Sequence, residues 1–500
     1  MRHLQSFGAR ARTAILCSLV ILVASAGLSL ASTRQAQAHT VARGFADALT
    51  FNFSSWGDGQ VKALHEIAAK LHAKYVRFDV YWRLAEPAEG VYAENAERTG
   101  YLDNVRKAVD AAQAQGLKVI IVTYEVPKWA SDHRFWKNPN LFSGGKDRDG
   151  YCDYYAPTDA GIAAFGDFAQ HLATLLAGKV MAYEAWNEPN LWVYLYPQTY
   201  GSDNAFAVHR YAAMLKAFHD GIKLADPSAQ VVAGCTAPIG EPLSEMGRLR
   251  TSPQAFARAL LKSSPNITSY FDAYDHHPYT PGGTKDMQPE AMPSNPTTTV
   301  QLANLATLLK LFPGKPFYLT EYGYNTAFSR VFGGGSVTQI QQAAYLKRAY
   351  AYAARYDQVK LMCWYQLKDW SPSGKATDSD GIYMGLRTLT GAAKRAWYAY
   401  AGGNRLTLNS PTSVRAGVSF KLYGRLTSTA VTNNGLPGGI GGRPLVVQAC
   451  GLSTGWRTLT TVTTDSQGYY HVWLRTWATK RYRVAWQGVV TSLARRVLVS

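Results

Sequence analysis

The stretch KVMAYEAWNEPN, residues 179–190, decides how this chain is read. Its first half is a short apolar strand. Its second half sets an indole, an amide and a carboxylate, Trp186-Asn187-Glu188, at the point where Pro189 stops the ladder. Strands of the same kind recur seven times between residues 40 and 400. ARGFADALTF (42–51), AKYVRFDVYW (73–82) and LKVIIVTYEV (117–126) come before it. AQVVAGCT (229–236), YFDAYDHH (270–277), KPFYLTEYGY (315–324) and VKLMCWYQLK (359–368) come after it. Stretches with apolar residues at helical spacing lie between them, among them 60–72, 101–116, 161–178, 208–225, 300–312 and 339–356. Eight strands alternating with helices predict an α/β fold, a closed (β/α)8 TIM barrel with insertions. An open doubly wound sheet would carry a glycine-rich phosphate turn after the first strand, and this chain has none.

The chain's 500 residues exceed one ordinary domain. Residues 1–38 read as a secretory signal peptide: Arg2, Arg10 and Arg12, then an apolar run, then a small-residue AQA site ending at Ala38. An uncleaved anchor is the alternative. Residues 39–401 form the expected barrel domain. From 402 to 500 the texture changes to short alternating strands and Pro/Gly turns, which predicts a small all-β sandwich of immunoglobulin-like type. Of the formal +18 charge, twelve Lys and Arg fall from Gly402 onward against one acid, Asp465. The basicity therefore belongs to the tail. A signal peptide implies a secreted, extracellular or cell-wall-associated protein, for which nucleic acid is not an expected partner. After the signal, Cys152, Cys235, Cys363 and Cys450 remain, at spacings that match no metal motif.

In a parallel barrel the working face lies at the carboxyl ends of the strands. Glu188 closes the fourth strand and Glu321 lies near the end of the seventh, across the mouth. Two facing carboxylates are the minimum equipment for cleaving a glycosidic bond: one protonates the leaving oxygen, the other attacks the anomeric carbon or activates water. Each has a plainer reading, as a helix-capping or structural acid. Glu184, of the same strand parity as Glu188, is expected to pair structurally with Arg77. His276 is expected to be structural, and HHPY has no third ligand at metal spacing, so no metal and no cofactor is expected.

The set Asn187-Glu188, His277-Pro278-Tyr279, Glu321 and Trp364, on strands four, six, seven and eight, resembles the clan A glycoside hydrolases over residues 43–400. Families thirty-nine and five are the most similar. The family-five pattern has a histidine at the end of strand three, where this chain has Tyr124 and Glu125, which favours family thirty-nine. The resemblance implies that Glu188 is the general acid/base and Glu321 the nucleophile of a retaining enzyme. It implies that Asn187 bonds the sugar 2-hydroxyl, that Arg77 and Tyr279 hold Glu321 ionised, and that His277 contacts the sugar or its neighbours. It places Trp364 as the floor under the sugar at the cleavage subsite.

Trp82, Trp129, Trp136, Trp192, Tyr194, Tyr196 and Trp370 fall where loops should wall the cleft, which suits an endo-acting monomer on a polysaccharide or oligosaccharide. For the tail, a spacer is weighed against adsorption to an anionic cell-wall polymer through its charge and Trp456, Trp473, Trp477 and Trp486. A catalytically silent carbohydrate-binding barrel and a transglycosylase are the competing functions.

Overall fold

The computed structural model describes residues 39–95, 100–136, 154–243, 249–281, 286–433 and 436–500. The expected signal peptide and Cys152 lie outside the described residues. No helix among those residues is long and apolar enough to cross a membrane.

All eight strand candidates form. β1 (Ala42–Ala46), β2 (Tyr75–Tyr81), β3 (Lys118–Tyr124), β4 (Val180–Ala185), β5 (Gln230–Thr236), β6 (Ala273–His276), β7 (Phe317–Tyr322) and β8 (Val359–Tyr365) pair in chain order, all parallel. β8 closes the barrel on β1, with Gly44 opposite Cys363. Because side chains alternate along a strand, one set fills the barrel and the other meets the helices. Ala46, Ile120, Ala182, Val232, Ala273, Tyr318, Leu361 and Cys363 fill the interior. Val119, Ile121, Tyr183, Val231, Phe317, Leu319 and Met362 belong to the larger core under the helices.

The helices start where the sequence supplies caps. Thr158 accepts from the Gly161 N–H at the head of the helix Asp159–Leu175. Thr338 and Gln341 form a capping box on the helix Gln339–Ala353. The helices Asp159–Leu175 and Phe206–Ala225 flank β4 and cross closely. A Cβ on Gly221 would meet the Gly166 carbonyl at 2.2 Å, so only glycine allows that approach. The expected helix at 300–312 is instead a 3-10 turn, Leu302–Asn304, and a short helix, Ala306–Leu309. Asn304 sets where the helical segment starts: its side chain accepts from the Gln301 N–H and donates to the Thr299 carbonyl, capping the segment at Gln301.

Among the described residues the tail contains ten strands: β9 (Asn404–Leu406), β10 (Ser413–Val414), β11 (Ser419–Asn433), β12 (Leu436–Gly439), β13 (Pro444–Cys450), β14 (Arg457–Thr463), β15 (Tyr469–Arg475), β16 (Lys480–Trp486), β17 (Val490–Thr491) and β18 (Arg495–Val499). They form two largely antiparallel sheets, one ordered β10-β18-β16-β13-β14 and one ordered β12-β11-β15. The tail packs on the barrel's last two helices. Tyr398 packs tilted against Trp486 with ring centres 4.9 Å apart, Arg443 donates to the Tyr398 hydroxyl, and Lys347 donates to the Val489 carbonyl at 2.7 Å. Trp486 is thus buried interface, not part of an adsorbing surface. Cys235, Cys363 and Cys450 are buried free thiols.

Candidate active site

Three backbone irregularities at the carboxyl mouth aim the site. After β4 the chain turns through left-handed Trp186 (φ 80°) and Glu188 (φ 40°). A bulky residue there carries strain of about 1–3 kcal/mol, which the surroundings must offset. The Trp186 indole is buried, donates to the Tyr194 carbonyl at 2.9 Å and packs on Phe165. The Glu188 N–H is held by the Cys235 carbonyl at 2.9 Å. In β5, the four residues from Ala233 to Thr236 oppose three in β6, and Gly234 at φ 99° makes the bulge. In β7, the four residues from Leu319 to Tyr322 oppose three in β8. Simple alternation would send Glu321 outward with Phe317 and Leu319; the extra residue lets Thr320 and Glu321 both face the pocket.

Arg77 ties the base of the pocket together. It is fully buried and donates to Glu184 Oε2 at 2.7 Å, Glu321 Oε1 at 2.7 Å and Asn187 Oδ1 at 2.8 Å, with Asp79 at 3.4 Å. The Tyr279 hydroxyl donates to the other Glu321 oxygen at 2.9 Å. Glu321 is therefore gripped on both oxygens. His277 sits between the two candidate carboxylates. Its Nδ1 is 3.0 Å from Glu188 Oε1 and 3.8 Å from Glu321 Oε2, and its Nε2 faces Thr320 and Asp275. Although burial opposes charge on the ring, Glu321, Asp275 and Glu188 together raise the imidazole well above its usual range, so it carries both protons and donates from both nitrogens. The two carboxylate oxygens can be no further apart than the sum of their distances to that one nitrogen.

Beneath this pocket Glu184, Cys235 and Asp275 bring three donor atoms within 4.8 Å of one another. Their chemistry does not suit a metal. Arg77 already holds one Glu184 oxygen, and burial with two neighbouring acids pushes the Cys235 thiol well up. Burial likewise raises Glu184 to about 7 and raises Asp79, against the pull of Arg77 in both cases.

The sequence-derived set Arg77, Asn187, Glu188, His277, Tyr279 and Glu321 converges on this pocket. Trp364 does not. On β8 the inward side chains are Leu361, Cys363 and Tyr365, so Trp364 points to the helix layer. It is wholly buried, donates to the Met384 carbonyl at 3.0 Å and lies against Tyr322. Tyr365 takes the inward place, clustered with Tyr279; burial and the Glu321 and Asp79 carboxylates push its phenol well up. Trp82 is also core, packed on Phe165 and Phe168, not cleft wall. Asp79, Tyr81, Tyr124 and Tyr194 complete one side: Tyr124 donates to Asp79 at 3.0 Å and meets Tyr81 and Tyr194 edge-on. Asp47, at the end of β1, accepts from Thr50 and from the Leu367 N–H, fastening the loop after β8 to that after β1. Trp364→Ala is expected to cost about 3–5 kcal/mol in urea unfolding with KM unchanged. Tyr365→Ala is expected to lower kcat/KM with little loss of stability. The reverse pattern would restore Trp364 to the sugar site.

A parallel barrel with two carboxylates, an arginine, an asparagine and a histidine gathered at its carboxyl mouth defines the class of the (β/α)8 glycosidases. Residues 36–366 match the family described as Cellulase (glycosyl hydrolase family 5), and the chain belongs to that family and is a glycosidase. Tyr124 at the end of strand three does not remove it from family five. Among solved structures it is similar to a family 39 glycoside hydrolase from the gut symbiont Bacteroides cellulosilyticus WH2, at 17% identity over 89% of this chain and 81% of that one, TM-score 0.48. It is similar to a family 5 subfamily 18 protein from Streptomyces cattleya in complex with GlcNAc, at 17% identity over 73% and 80%, TM-score 0.48. It is also similar to endo-glycoceramidase II from Rhodococcus sp., at 18% identity over 88% and 98%, TM-score 0.45. No curated protein matches in sequence.

Proposed function

We propose that this chain is a secreted, retaining, endo-acting glycoside hydrolase of a polysaccharide, with Glu321 as nucleophile and Glu188 as general acid/base. The observation that carries the reading is His277: one imidazole nitrogen within 3.0 Å of Glu188 and 3.8 Å of Glu321. Carboxylates that share one nitrogen can share one sugar. Their greatest possible separation spans the roughly 5–5.5 Å of retaining pairs and leaves little of the roughly 6.5–9.5 Å that inverting pairs use to admit water.

Each side chain then has a task. Arg77 and Tyr279 bond both oxygens of Glu321 and aim it at the anomeric carbon. His277 Nδ1, 3.0 Å from Glu188 Oε1, fixes that oxygen and leaves Oε2 to carry the proton to the departing glycosidic oxygen. When Glu321 becomes a glycosyl ester its negative charge is gone, and Glu188 can then take a proton from water. Asn187, fixed by Arg77 through its carbonyl, has its amide N–H₂ left to bond the 2-hydroxyl. Endo action is supported by half-buried Trp136 and Trp192 and exposed Trp370 in the loops after β3, β4 and β8, where further sugars would run. Secretion rests on the leader-like sequence of residues 1–38, and the protein is expected to act as a monomer.

The test is a panel of soluble β-glucan, xylan, mannan and bacterial exopolysaccharide, read by reducing ends and product size, with Glu321→Gln purified in parallel. Release of oligosaccharides by the wild type alone supports the proposal. Equal release by both, or binding without release on any glycan, contradicts it.

A further inference from the structure

The outer face of the β11–β15 sheet carries an unusual set of side chains. Antiparallel register sets Lys421 opposite Trp473, Tyr423 opposite His471, Arg425 opposite Tyr469 and Ser419 opposite Arg475. The alternate residues, Phe420, Leu422 and Tyr470, turn into the sandwich and are buried. The outward set stays in solvent: Trp473 is 62% exposed, Tyr423 49% and Tyr469 48%. Just past the end of β15, Trp477 is 72% exposed and lies over Gly417, whose missing side chain leaves room for the indole. Arg425 lies 4.8 Å from the Tyr469 ring centre and Lys421 lies 5.7 Å from that of Tyr423. Of the sheet's cross-strand pairs on this face, none includes an acid. The nearby carboxylate of Asp465 is spent on the backbone N–H groups of Gln467 and Tyr469.

Exposed tryptophans cost solubility, and two on one strongly basic face need a partner. On β15 the outward rings are Tyr469, His471 and Trp473, each two residues or about 7 Å from the next, a spacing that suits the faces of successive sugar rings. Cations interleaved with those rings suit carboxylates carried on the same sugars. We infer that this face is a second polysaccharide-binding surface, separate from the barrel pocket, and that its ligand is an acidic polysaccharide bearing uronate carboxylates. Aromatic stacking sets its affinity for sugar, and Lys421, Arg425 and Arg475 set its preference for charge. Trp486 and Trp456 are not part of it: the first is buried against the barrel, the second is half-buried under Arg483.

The test compares full-length protein with Trp473→Ala/Trp477→Ala and with Lys421→Glu/Arg425→Glu. Binding to polygalacturonate and to neutral hydroxyethyl cellulose is measured across a salt series. Because Trp473, Trp477 and Lys421 are exposed and Arg425, half-buried, bonds only the Gln467 carbonyl at the sheet surface, both variants should melt close to the wild type and keep its turnover of a small aryl glycoside. Each double variant is expected to bind polygalacturonate at least about tenfold more weakly, and the charge variant also to lose most of the salt dependence. Unchanged binding in both variants overturns the inference. So does an equal loss by the charge variant on the neutral polymer, retention on phosphatidylglycerol vesicles in place of polygalacturonate, or a wild-type dimer that the tryptophan variant converts to monomer. Loss of all glycan turnover in the wild type would contradict the hydrolase reading but leave this binding result intact.

Discussion

Glu321→Gln is expected to fold normally and to lose about four orders of magnitude or more in kcat on every substrate. The amide keeps an oxygen for Arg77 or Tyr279 but cannot attack the anomeric carbon. Glu188→Gln should behave differently. With a natural glycan, whose leaving oxygen must be protonated, the loss should approach that of Glu321→Gln. With an aryl glycoside whose phenol departs unaided, the first step should survive and the glycosyl ester should accumulate as a burst, because water is no longer activated. Leaving-group dependence in the Glu188 variant and its absence in the Glu321 variant would assign the two roles. Equal behaviour of both on both substrates would undo that division.

The second large effect concerns Arg77. Its guanidinium is wholly buried and touches Glu184, Glu321, Asn187 and Asp79. Arg77→Met removes the charge and leaves three carboxylates without it, a loss of about 3–5 kcal/mol in urea unfolding. The deficit should depend on pH, with a definite sign. Burial already raises Glu184 to about 7 and raises Asp79, while Arg77 holds both down. Without Arg77 both rise further, so the folded variant binds protons that the unfolded chain releases. Its stability therefore falls as pH rises, and the gap from wild type should be wider at pH 8 than at pH 5. A gap that is flat or widens toward acid would mean that Arg77 does not hold these acids.

Much of this was legible in the residues, for identifiable reasons. The eight strands show because buried parallel strands are short, apolar and bounded by helix-ending glycines, as in GLKVII and GKPFYL. Arg77 and Asp79 share inward parity on β2, yet only Arg77 was singled out; the alternation Tyr75-Arg77-Asp79-Tyr81 already placed all four on one face. Glu321 shows the limit of parity, since counting alternate residues along β7 sends it outward and only the bulge returns it. A bulge is set by pairing with a neighbouring strand, which a single segment does not reveal. Trp364 shows the opposite limit: motif position placed it in the pocket, but one step of strand parity gives that place to Tyr365. In the tail the four tryptophans looked equivalent, and their division into interface, half-buried and exposed depends on how the sheets meet the barrel. Asn304, which caps the shortened helical segment within 300–312, acts through contacts with Thr299 and Gln301 that apolar periodicity does not register.

The most direct measurement is proton NMR of the sugar anomer first released, followed from the opening minutes of a reaction on whichever soluble glycan the panel finds to be cleaved. Double displacement through Glu321 predicts a product of the substrate's own anomeric configuration, which only later mutarotates. Initial appearance of the opposite anomer would mean that water, not Glu321, attacks the sugar, and would contradict the account.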